Sequence, residues 1–388
     1  MKNELNFRIQ SAIIVCHDAM FGPPHELRDY MLTKGVGSLL FIGHPNKTLE
    51  GNDVTSSYYE IYENGKKIKR YVSPVWNLPE FAGYIKDSIL TLYWSVTLMK
   101  RNVDYFIGLG NLNAFAGLVF KAFGLTKRVY YYVIDYIPDR FSNKIVNLLY
   151  TWLDHLCARF SDTTWNYGAR MIQERNKKWN IRYSNQIVVP NGIRMRTGIQ
   201  KQVSAIHEKE LIYLGVLHDK QGLQLIFKAL PLIKKTVPSI RISIIGKGEY
   251  RKTLDKLALS LHIQNQVEFV GYIGDPGKAD QRVSLGALGL AMYDPKDSFV
   301  KYAEPGKVKR YLACGVPVIM TDVAPVSKEL IRNSCGIVCT YDYKEFARQV
   351  VTFLSDRKRQ EEYRKNAYRF ALGYQWKNIF QDAFERSN

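Results

Sequence analysis

The sequence predicts an α/β protein built from two doubly wound domains that face each other across a cleft. Short apolar runs alternate with helical stretches, a polar stretch at residues 192–208 interrupts this alternation, and the alternation then starts again. Strands that alternate with helices favour a parallel sheet covered on both faces, and such sheets bind ligands at the carboxyl ends of their strands. The length of 388 residues allows two domains of about 150 residues each.

The first series of elements begins with a buried strand. Its strands are predicted at residues 12–16, 38–42, 105–109, 129–134 and 187–189, and its helices at 25–33, 86–100 and 143–160. Two further runs, 58–63 and 66–71, flank Asn64-Gly65, a dipeptide that favours the two positive φ angles of a tight hairpin turn. Because this hairpin breaks the alternation, we predict an insertion at about residues 58–71.

The second series follows the same alternation after residue 208. Its strands are predicted at residues 211–214, 240–245, 267–270 and 316–320, and its helices at 223–234, 250–261 and 307–313. A short apolar run at residues 285–292 adds one more buried element.

The composition bounds the class of protein and its ligands. The chain carries 55 basic against 36 acidic residues, a net charge of +19 that is spread over both halves. Such a field suits phosphorylated small molecules, anionic membrane surfaces or nucleic acid, and does not choose among them. A hydrophobic fraction of 46% excludes a disordered or collagen-like chain. The five cysteines are scattered, so we expect reduced core thiols and no metal site.

The sequence shows no pattern of a signal peptide or of a membrane-spanning helix. Residues 1–10 are polar, and the apolar run that follows is too short for a signal peptide. The longest membrane-like stretch, residues 89–99, falls short of the ~20 residues that a spanning helix needs. We therefore expect a cytoplasmic protein.

The segment from Asp297 to Asp322 is the richest in candidate functional residues. A glycine-containing loop leads into a helix with Lys307 in its first turn, where free backbone N–H groups and the helix dipole favour a phosphate. The same dipole disfavours a lysine there, which indicates that its ammonium serves a ligand. The alternative is that Lys307, Lys309 and Arg310 form a solvated face.

A glycine-rich turn stands in the same half. Gly246-Lys247-Gly248 follows a predicted strand and precedes a predicted helix, as a phosphate-binding turn does. The third glycine of a dinucleotide fingerprint is missing, and Arg251 stands there. A tight turn with a purely structural role is the alternative.

Two loops of the first domain carry further candidates. Gly22 keeps its loop flexible, and His25, where a helix begins, is placed to touch a phosphate or a sugar hydroxyl, with a capping or solvated role as the alternative. Asp135 ends a strand, where a carboxylate can orient a bound hydroxyl group or take its proton. Arg140 can bind a phosphate through a bidentate fork. Helix capping or an ion pair with Arg140 is the alternative for Asp135.

These motifs, in this order and over most of the chain, resemble glycosyltransferase family four, whose members are group 1 glycosyltransferases that use sugar nucleotides. The resemblance rests on Val189-Pro190-Asn191-Gly192-Ile193, Tyr213-Leu214-Gly215, Gly222-Leu223, Ile245-Gly246-Lys247-Gly248, Phe269-Val270-Gly271, the segment from Pro305 to Ile319, and Tyr374-Gln375-Trp376.

The resemblance implies a GT-B fold, in which two Rossmann-like domains face each other across a cleft. The acceptor-binding domain is then residues 1–190, and the nucleotide-sugar-binding domain is residues 191–365. Residues 366–388 are then a C-terminal helix that crosses back to the first domain.

The resemblance also distributes the candidate residues between two substrates. Asp135 becomes the catalytic residue, and His25 and Arg140 become acceptor-binding residues. The donor-binding residues are Gly22, Gly215, Lys220, Gly246, Lys247, Gly248, Glu304, Pro305, Lys307 and Arg310. No metal and no cofactor are implied, because the nucleotide diphosphate sugar is itself a substrate.

The chain departs from the family's donor-binding pattern near its first motif. The family has an arginine and a lysine that contact the donor diphosphate, and this chain has Val216 and Gln221 at those positions, with Lys220 one residue away.

A second departure lies before the Ala-Cys-Gly stretch. Tyr302 and Arg310 stand where the family has two glutamates, and arginine cannot accept a hydroxyl proton. Glu304 is then the nearby carboxylate for the donor ribose. Pro305-Gly306-Lys307 fits the Pro-x-Lys pattern of a subgroup, so we expect Lys307 and Arg310 to hold phosphate.

The resulting hypothesis is a cytoplasmic glycosyltransferase of polysaccharide or glycolipid biosynthesis. It would transfer a sugar from a nucleotide diphosphate sugar to a hydroxyl of a glycan or lipid-linked acceptor, without a metal and, as the resemblance implies, with retention of the anomeric configuration. One alternative is a nucleotide-sugar epimerase, and another is a non-catalytic glycosyltransferase-like scaffold. A nucleic-acid binder ranks last, because the chain contains no nucleic-acid-binding module.

Aromatic and basic residues that occur together in the first domain suggest peripheral association with an anionic membrane surface. The alternative is that the aromatic side chains are core residues and cross-strand pairs. The residues are Tyr58, Tyr59, Tyr62, Lys66, Lys67, Lys69, Arg70, Tyr71, Trp76, Tyr84, Tyr93, Trp94, Lys100 and Arg101.

Overall fold

The chain forms two compact units, each built around one sheet. The computed structural model describes residues 9–18, 22–46, 54–99, 102–196, 198–199, 207–296 and 304–388. The first unit comprises Met1–Pro190 and Trp376–Asn388, and the second comprises Asn191–Gln375. The return to the first unit begins ten residues later than the sequence predicted, because Ala367 and Ala371 are buried in the core of the second unit.

The first unit contains an eight-stranded sheet in the order β4-β3-β2-β1-β5-β6-β7-β8. Its strands are β1 (Ser11–Asp18), β2 (Ser38–Pro45), β3 (Tyr58–Glu63), β4 (Lys66–Val72), β5 (Val103–Leu109), β6 (Thr126–Val133), β7 (Thr163–Asn166) and β8 (Gln186–Val188). Its helices are α1 (Pro23–Thr33), α2 (Glu80–Leu98), α3 (Asn111–Ala122), α4 (Lys144–Phe160), α5 (Ala169–Trp179) and α13 (Trp376–Ser387). The chain runs from β1 to β2 on one side and later resumes with β5 on the other side of β1, which makes a topological switch point.

The predicted hairpin is present and extends the parallel sheet with two antiparallel strands, β3 and β4. Its turn residues, Asn64 and Gly65, have φ angles of 49° and 82°. Tyr58, Tyr59 and Tyr62 are buried, and Tyr59 packs against Trp94 of α2 at 5.2 Å between ring centroids. These four aromatic residues are therefore core residues and do not form a membrane-facing cluster. Lys100 and Arg101 lie outside the described residues.

The C-terminal helix α13 completes the core of the first unit. Phe384 stacks on Tyr30 of α1 and meets Trp165 of β7 edge to face, with ring centroids 5.9 and 5.1 Å apart. The Trp165 indole N–H donates to Ser387 Oγ at 2.8 Å. The last helix is thus packed into this unit on both aromatic and polar contacts.

The second unit contains a six-stranded parallel sheet in the order β11-β10-β9-β12-β13-β14. Its strands are β9 (His207–Leu214), β10 (Arg241–Ile245), β11 (Val267–Gly271), β12 (Gly286–Ala291), β13 (Val318–Thr321) and β14 (Gly336–Cys339). Its helices are α6 (Leu223–Thr236), α7 (Arg251–Ser260), α8 (Pro276–Ser284), α9 (Gly306–Ala313), α10 (Val326–Arg332), α11 (Tyr343–Leu354) and α12 (Arg357–Leu372). Two apolar clusters, one containing Phe227 and Phe346 and the other Tyr311 and Val316, cover this sheet. Its switch point lies between β9 and β12.

All five cysteines are buried and unpaired, as the sequence predicted. Within the described ranges, no helix has the length and apolar character that crossing a membrane requires.

Candidate functional site

Lys307 lies at the switch point of the second sheet. It belongs to the first turn of α9, and its ammonium sits between the rings of Tyr213, on β9, and Tyr293, just after β12, at 4.6 and 4.7 Å from the ring centroids. Both tyrosines are buried. The position between the carboxyl ends of β9 and β12 is where open α/β sheets bind ligands.

The Lys307 ammonium has one hydrogen bond to a side chain and no counter-ion in the described part of the chain. Nζ donates to Gln221 Oε1 at 2.5 Å, and no carboxylate of the described residues pairs with it. Burial away from water lowers the pKa of Lys307 from 10.5 to about 7. A cation in this setting is poised to gain from an anionic ligand, because the ligand would supply the missing counter-charge.

Gln221 occupies the position at which the family resemblance places a diphosphate-binding lysine. In this chain, Lys307 reaches that position from α9 and contacts the Gln221 amide. The positive charge is thus present beside this turn, but it comes from a different element. Lys220, the neighbouring residue, is exposed at its side chain.

The glycine-rich turn after β10 packs directly on the turn after β9. Gly215 N–H donates to the Ile245 carbonyl, and Leu217 N–H donates to the Lys247 carbonyl, both at 3.0 Å. A Cβ atom on Gly246 would lie 1.9 Å from the Gly215 carbonyl oxygen, and one on Gly248 would lie 2.2 Å from the Leu217 carbonyl oxygen. Packing of the two turns is therefore sufficient to require both glycines, and donor binding by this turn stays a prediction.

Lys247 projects from that turn and is exposed. Its ammonium lies 5.2 Å from the centroid of the Tyr272 ring. It is therefore accessible at the carboxyl end of β10.

Two predicted donor-binding residues of this segment already have partners within the protein. Glu304 accepts a hydrogen bond from Lys309, whose buried ammonium also donates to the Asn191 carbonyl at 2.6 Å. Arg310 Nε donates to Asp280 Oδ1 at 2.5 Å. These contacts use Glu304 and Arg310 in internal ion pairs, while Pro305 precedes α9 as its N-cap residue.

In the first unit, Asp135 and Arg140 form an ion pair. The Arg140 guanidinium donates to Asp135 Oδ2 at 2.6 Å and lies 5.7 Å from the centroid of the Tyr150 ring. Burial lowers the pKa of Arg140, but the neighbouring Asp135 carboxylate and Tyr150 hydroxyl together raise it by more. The geometry is that of the ion-pair alternative, so a catalytic role for Asp135 stays a prediction.

His25 contacts a buried carboxylate at the end of β1. Its Nε2 lies 2.7 Å from Asp18 Oδ1, and the Tyr58 hydroxyl donates to the other carboxylate oxygen. Burial and this hydrogen bond raise the pKa of Tyr58. Gly22, with a φ of +91°, precedes α1, and its carbonyl accepts the N–H of His25 at 3.1 Å.

The sequence analysis missed a buried polar cluster beside the switch point of the first sheet. Asp87 of α2 lies 3.5 Å from His17 of β1, 3.2 Å from His44 of β2 and 2.7 Å from Lys86. Burial raises the pKa of Asp87, but its contacts with the two histidines and with Lys86 together lower it by more, to well below its usual range. Asn113 of α3 approaches His17 from the other side, at 3.3 Å.

One local signal for this cluster was available. His17 and Asp18 follow the buried residues of β1 directly, and polar residues at that end of a parallel strand often line a ligand site. The partners Asp87 and His44 come from distant parts of the chain, so spacing could not reveal them. Within the described residues, no group of three or more His, Cys, Asp or Glu side chains could hold a metal ion.

Residues 208–356, most of the second unit, match the family model of glycosyl transferases group 1. This part of the chain is similar to the group 1 glycosyltransferases. This match agrees with the predicted family resemblance and with the predicted transferase class, and the matches do not specify family four.

The curated proteins that are similar to this chain are distant relatives. An uncharacterized glycosyltransferase of Methanocaldococcus jannaschii is 22% identical over 65% of this chain and 61% of its own length. A glycogen synthase of Mycobacterium tuberculosis is 24% identical over 60% of this chain and 55% of its own length. The chain therefore matches somewhat more than half the length of these relatives.

Solved structures confirm the predicted fold. HepE from Anabaena, in complex with UDP, has a TM-score of 0.69 at 16% identity and covers 97% of this chain and 99% of its own. Sucrose-phosphate synthase from Thermosynechococcus elongatus has a TM-score of 0.71 at 14% identity, with 97% and 98% covered. The chain thus has the α/β architecture of GT-B glycosyltransferases.

Proposed function

We propose that this protein transfers a sugar from a nucleotide diphosphate sugar to a hydroxyl of a glycan or lipid-linked glycan, in polysaccharide or glycolipid biosynthesis. The observation that carries the proposal is the Lys307 ammonium at the switch point of the second sheet, which has no carboxylate partner among the described residues. A diphosphate bound there would provide the counter-charge that the protein does not supply.

The same position suits the chemistry of the transfer. As the bond between sugar and diphosphate breaks, negative charge grows on the departing nucleoside diphosphate. A preorganised cation in a site with little water stabilises such charge more than the ground state, which lowers the barrier. Lys307 is the leading residue for this role, and the N-terminus of α9 adds backbone donors. Lys220, Lys247 and the Gly246–Gly248 turn would extend the donor site.

The finer points of the reaction follow from the family resemblance. We infer a transfer that retains the anomeric configuration and uses neither a metal nor a cofactor. HepE was solved with UDP and with UDP-glucose, which supports a uridine diphosphate sugar as the first donor to test.

We further propose that the acceptor is lipid-linked and that the protein works at an anionic membrane surface from the cytoplasmic side. The net charge of +19 supports attraction to such a surface. The acceptor would bind the first unit, where His25 and Arg140 stand beside Asp18 and Asp135.

The test is thermal stabilisation by a panel of nucleoside diphosphates and their sugars, with UDP and UDP-glucose included. A ligand at 100 times its dissociation constant should add about 2.7 kcal/mol to the free energy of unfolding. We expect a response from the wild type and from Lys256→Met, an exposed lysine of α7, and none from Lys307→Met.

Absence of any response in the wild type would contradict donor binding and favour the scaffold alternative. That alternative has its own support, because Glu304 and Arg310 are engaged in internal ion pairs. Conversion of the donor to another sugar nucleotide without any acceptor would instead identify an epimerase.

A further inference from the structure

Helix α2 of the first unit presents an apolar stripe to solvent. Phe81, Ile85, Ile89, Tyr93 and Val96 recur every three or four residues along it, and their side chains are 49–68% exposed. The opposite side of the helix packs into the core through Trp94. An ordinary surface helix has charged or polar residues where this one has apolar residues.

No charged side chain is exposed on α2 among its described side chains. Lys86 and Asp87, the charged residues within that part of the helix, pair with each other at 2.7 Å and are largely buried. The solvent-exposed side of this 19-residue helix therefore offers no charged group to water among its described side chains.

Helix α4 carries a second stripe of the same kind. Ile145, Leu148, Leu149 and Trp152 are 49–70% exposed on one side of it. Helix α3 lies between α2 and α4 and contacts both, and Phe123 at its end is 76% exposed. The three helices thus form one layer. We term the exposed apolar residues of this layer, which are those named above on α2 and α4 together with Phe123, the apolar face.

The apolar face is too large for a surface that stays in contact with water. Helices of 19 and 17 residues are about 28 and 25 Å long, and packed neighbours lie about 8–10 Å apart. Contiguous exposed apolar patches beyond a few hundred Å² mark interaction sites with proteins or membranes.

Exposed basic residues lie at the border of the apolar face. Lys144 and Arg159 are exposed near the two ends of α4. Lys69 is exposed on β4, on the side of the sheet that faces α2, since its ammonium lies 6.0 Å from the ring of Tyr59, which packs on Trp94.

We propose that the apolar face docks flat on an anionic lipid bilayer, with α2 and α4 lying in the plane of the interface. Basic border residues would meet anionic headgroups, and the apolar stripes would enter the boundary of the acyl chains. A second copy of the chain is a poorer occupant, because a symmetric contact would bring one basic border against another. This inference rests on the proposed function only for the lipid-linked acceptor. It places the contact on the helix layer, which includes Tyr93 of the predicted aromatic set, and not on the buried hairpin residues Tyr58, Tyr59 and Tyr62.

The test is flotation of the purified protein with vesicles of phosphatidylcholine and phosphatidylglycerol, in low salt and without any nucleotide. The variant Ile89→Glu places a charge in the apolar face, and Leu259→Glu on α7 is its matched control, since the two residues are 60% and 62% exposed. We expect Ile89→Glu to bind vesicles at least about tenfold more weakly than the wild type. The variant loses the burial of the isoleucine side chain in the bilayer, and it must remove water from a carboxylate in order to bind. Leu259→Glu should bind as the wild type does.

Three outcomes would overturn the proposal. The wild type remains with the soluble fraction, or Ile89→Glu floats as well as the wild type, or light scattering shows a dimer that Ile89→Glu dissociates while flotation is unchanged. Thermal stabilisation by UDP on the same samples separates the two proposals. If flotation is lost while UDP still stabilises the protein, the membrane-docking proposal fails and donor binding stands. If flotation is retained while UDP does not stabilise the protein, donor binding fails and the membrane-docking proposal stands.

Discussion

The replacement Lys307→Met should stabilise the ligand-free protein while it removes donor binding. Burial lowers the pKa of Lys307 from 10.5 to about 7. Below pH 7, keeping this ammonium in the folded protein therefore costs roughly 2–4 kcal/mol after allowance for its partial contact with water. Methionine has a similar length and no charge, so it avoids that cost and loses only the contacts with Gln221 and the two tyrosine rings.

The sign of the pH dependence follows from the same values. Between pH 7 and 10.5 the unfolded lysine holds its proton while the folded one releases it, so the stability of the wild type rises with pH in that window. The advantage of Lys307→Met should be constant below pH 7 and shrink toward pH 10.5.

Urea unfolding of both proteins at several pH values from 6 to 10 measures this difference, with Lys256→Met as a control for the loss of an exposed charge. A methionine variant that is less stable than the wild type at pH 6 would refute the reasoning. So would a difference that does not change with pH.

Three further predictions concern the donor site and two ion pairs. The affinity for UDP, measured calorimetrically, should fall roughly 50-fold between pH 7 and pH 9, because the competent protonated form of Lys307 becomes scarce, and Lys307→Arg should keep its affinity. Asp135→Ala should cost about 1 kcal/mol of unfolding free energy, and this cost should disappear in an Arg140→Ala background; a loss of kcat that persists there would instead mark Asp135 as catalytic. Asp154→Ala should cost about 3–5 kcal/mol in urea unfolding, because it leaves Arg175 buried without its carboxylate; a cost below 1 kcal/mol would show that water or another group satisfies the guanidinium.

Most of the strands that sequence patterns predicted in the first unit are buried apolar runs. The runs in β1, β2, β5 and β6 are continuous and apolar, and the turn Asn64-Gly65 is nearly specific for a hairpin. Strand β7 was missed because Thr163, Thr164 and Asn166 are polar although they are buried. Asn166 is satisfied by Arg175 of α5, a contact that no local pattern signals.

The candidate site divides in the same way. Lys307 lies in the first turn of a helix, where the positive end of the helix dipole disfavours a cation. This is a local property, so the sequence alone predicts a ligand role for Lys307. The partners of Glu304 and Arg310 are Lys309 and Asp280, and their pairing depends on how α8 and α9 pack, which the sequence does not state. For the same reason the cluster of His17, His44 and Asp87 became visible only in three dimensions.

Helix α13 has a consequence for the order of events during synthesis. The first unit needs residues 376–388 to bury Tyr30 and Trp165, whereas the second unit is made of one uninterrupted stretch, residues 191–375. On the ribosome, the second unit can therefore reach its final fold while the first still waits for its last helix. The aromatic groove that α13 fills stays open until residues 376–388 have left the ribosome, so a nascent chain is most vulnerable to proteases and to aggregation through the unit that is made first.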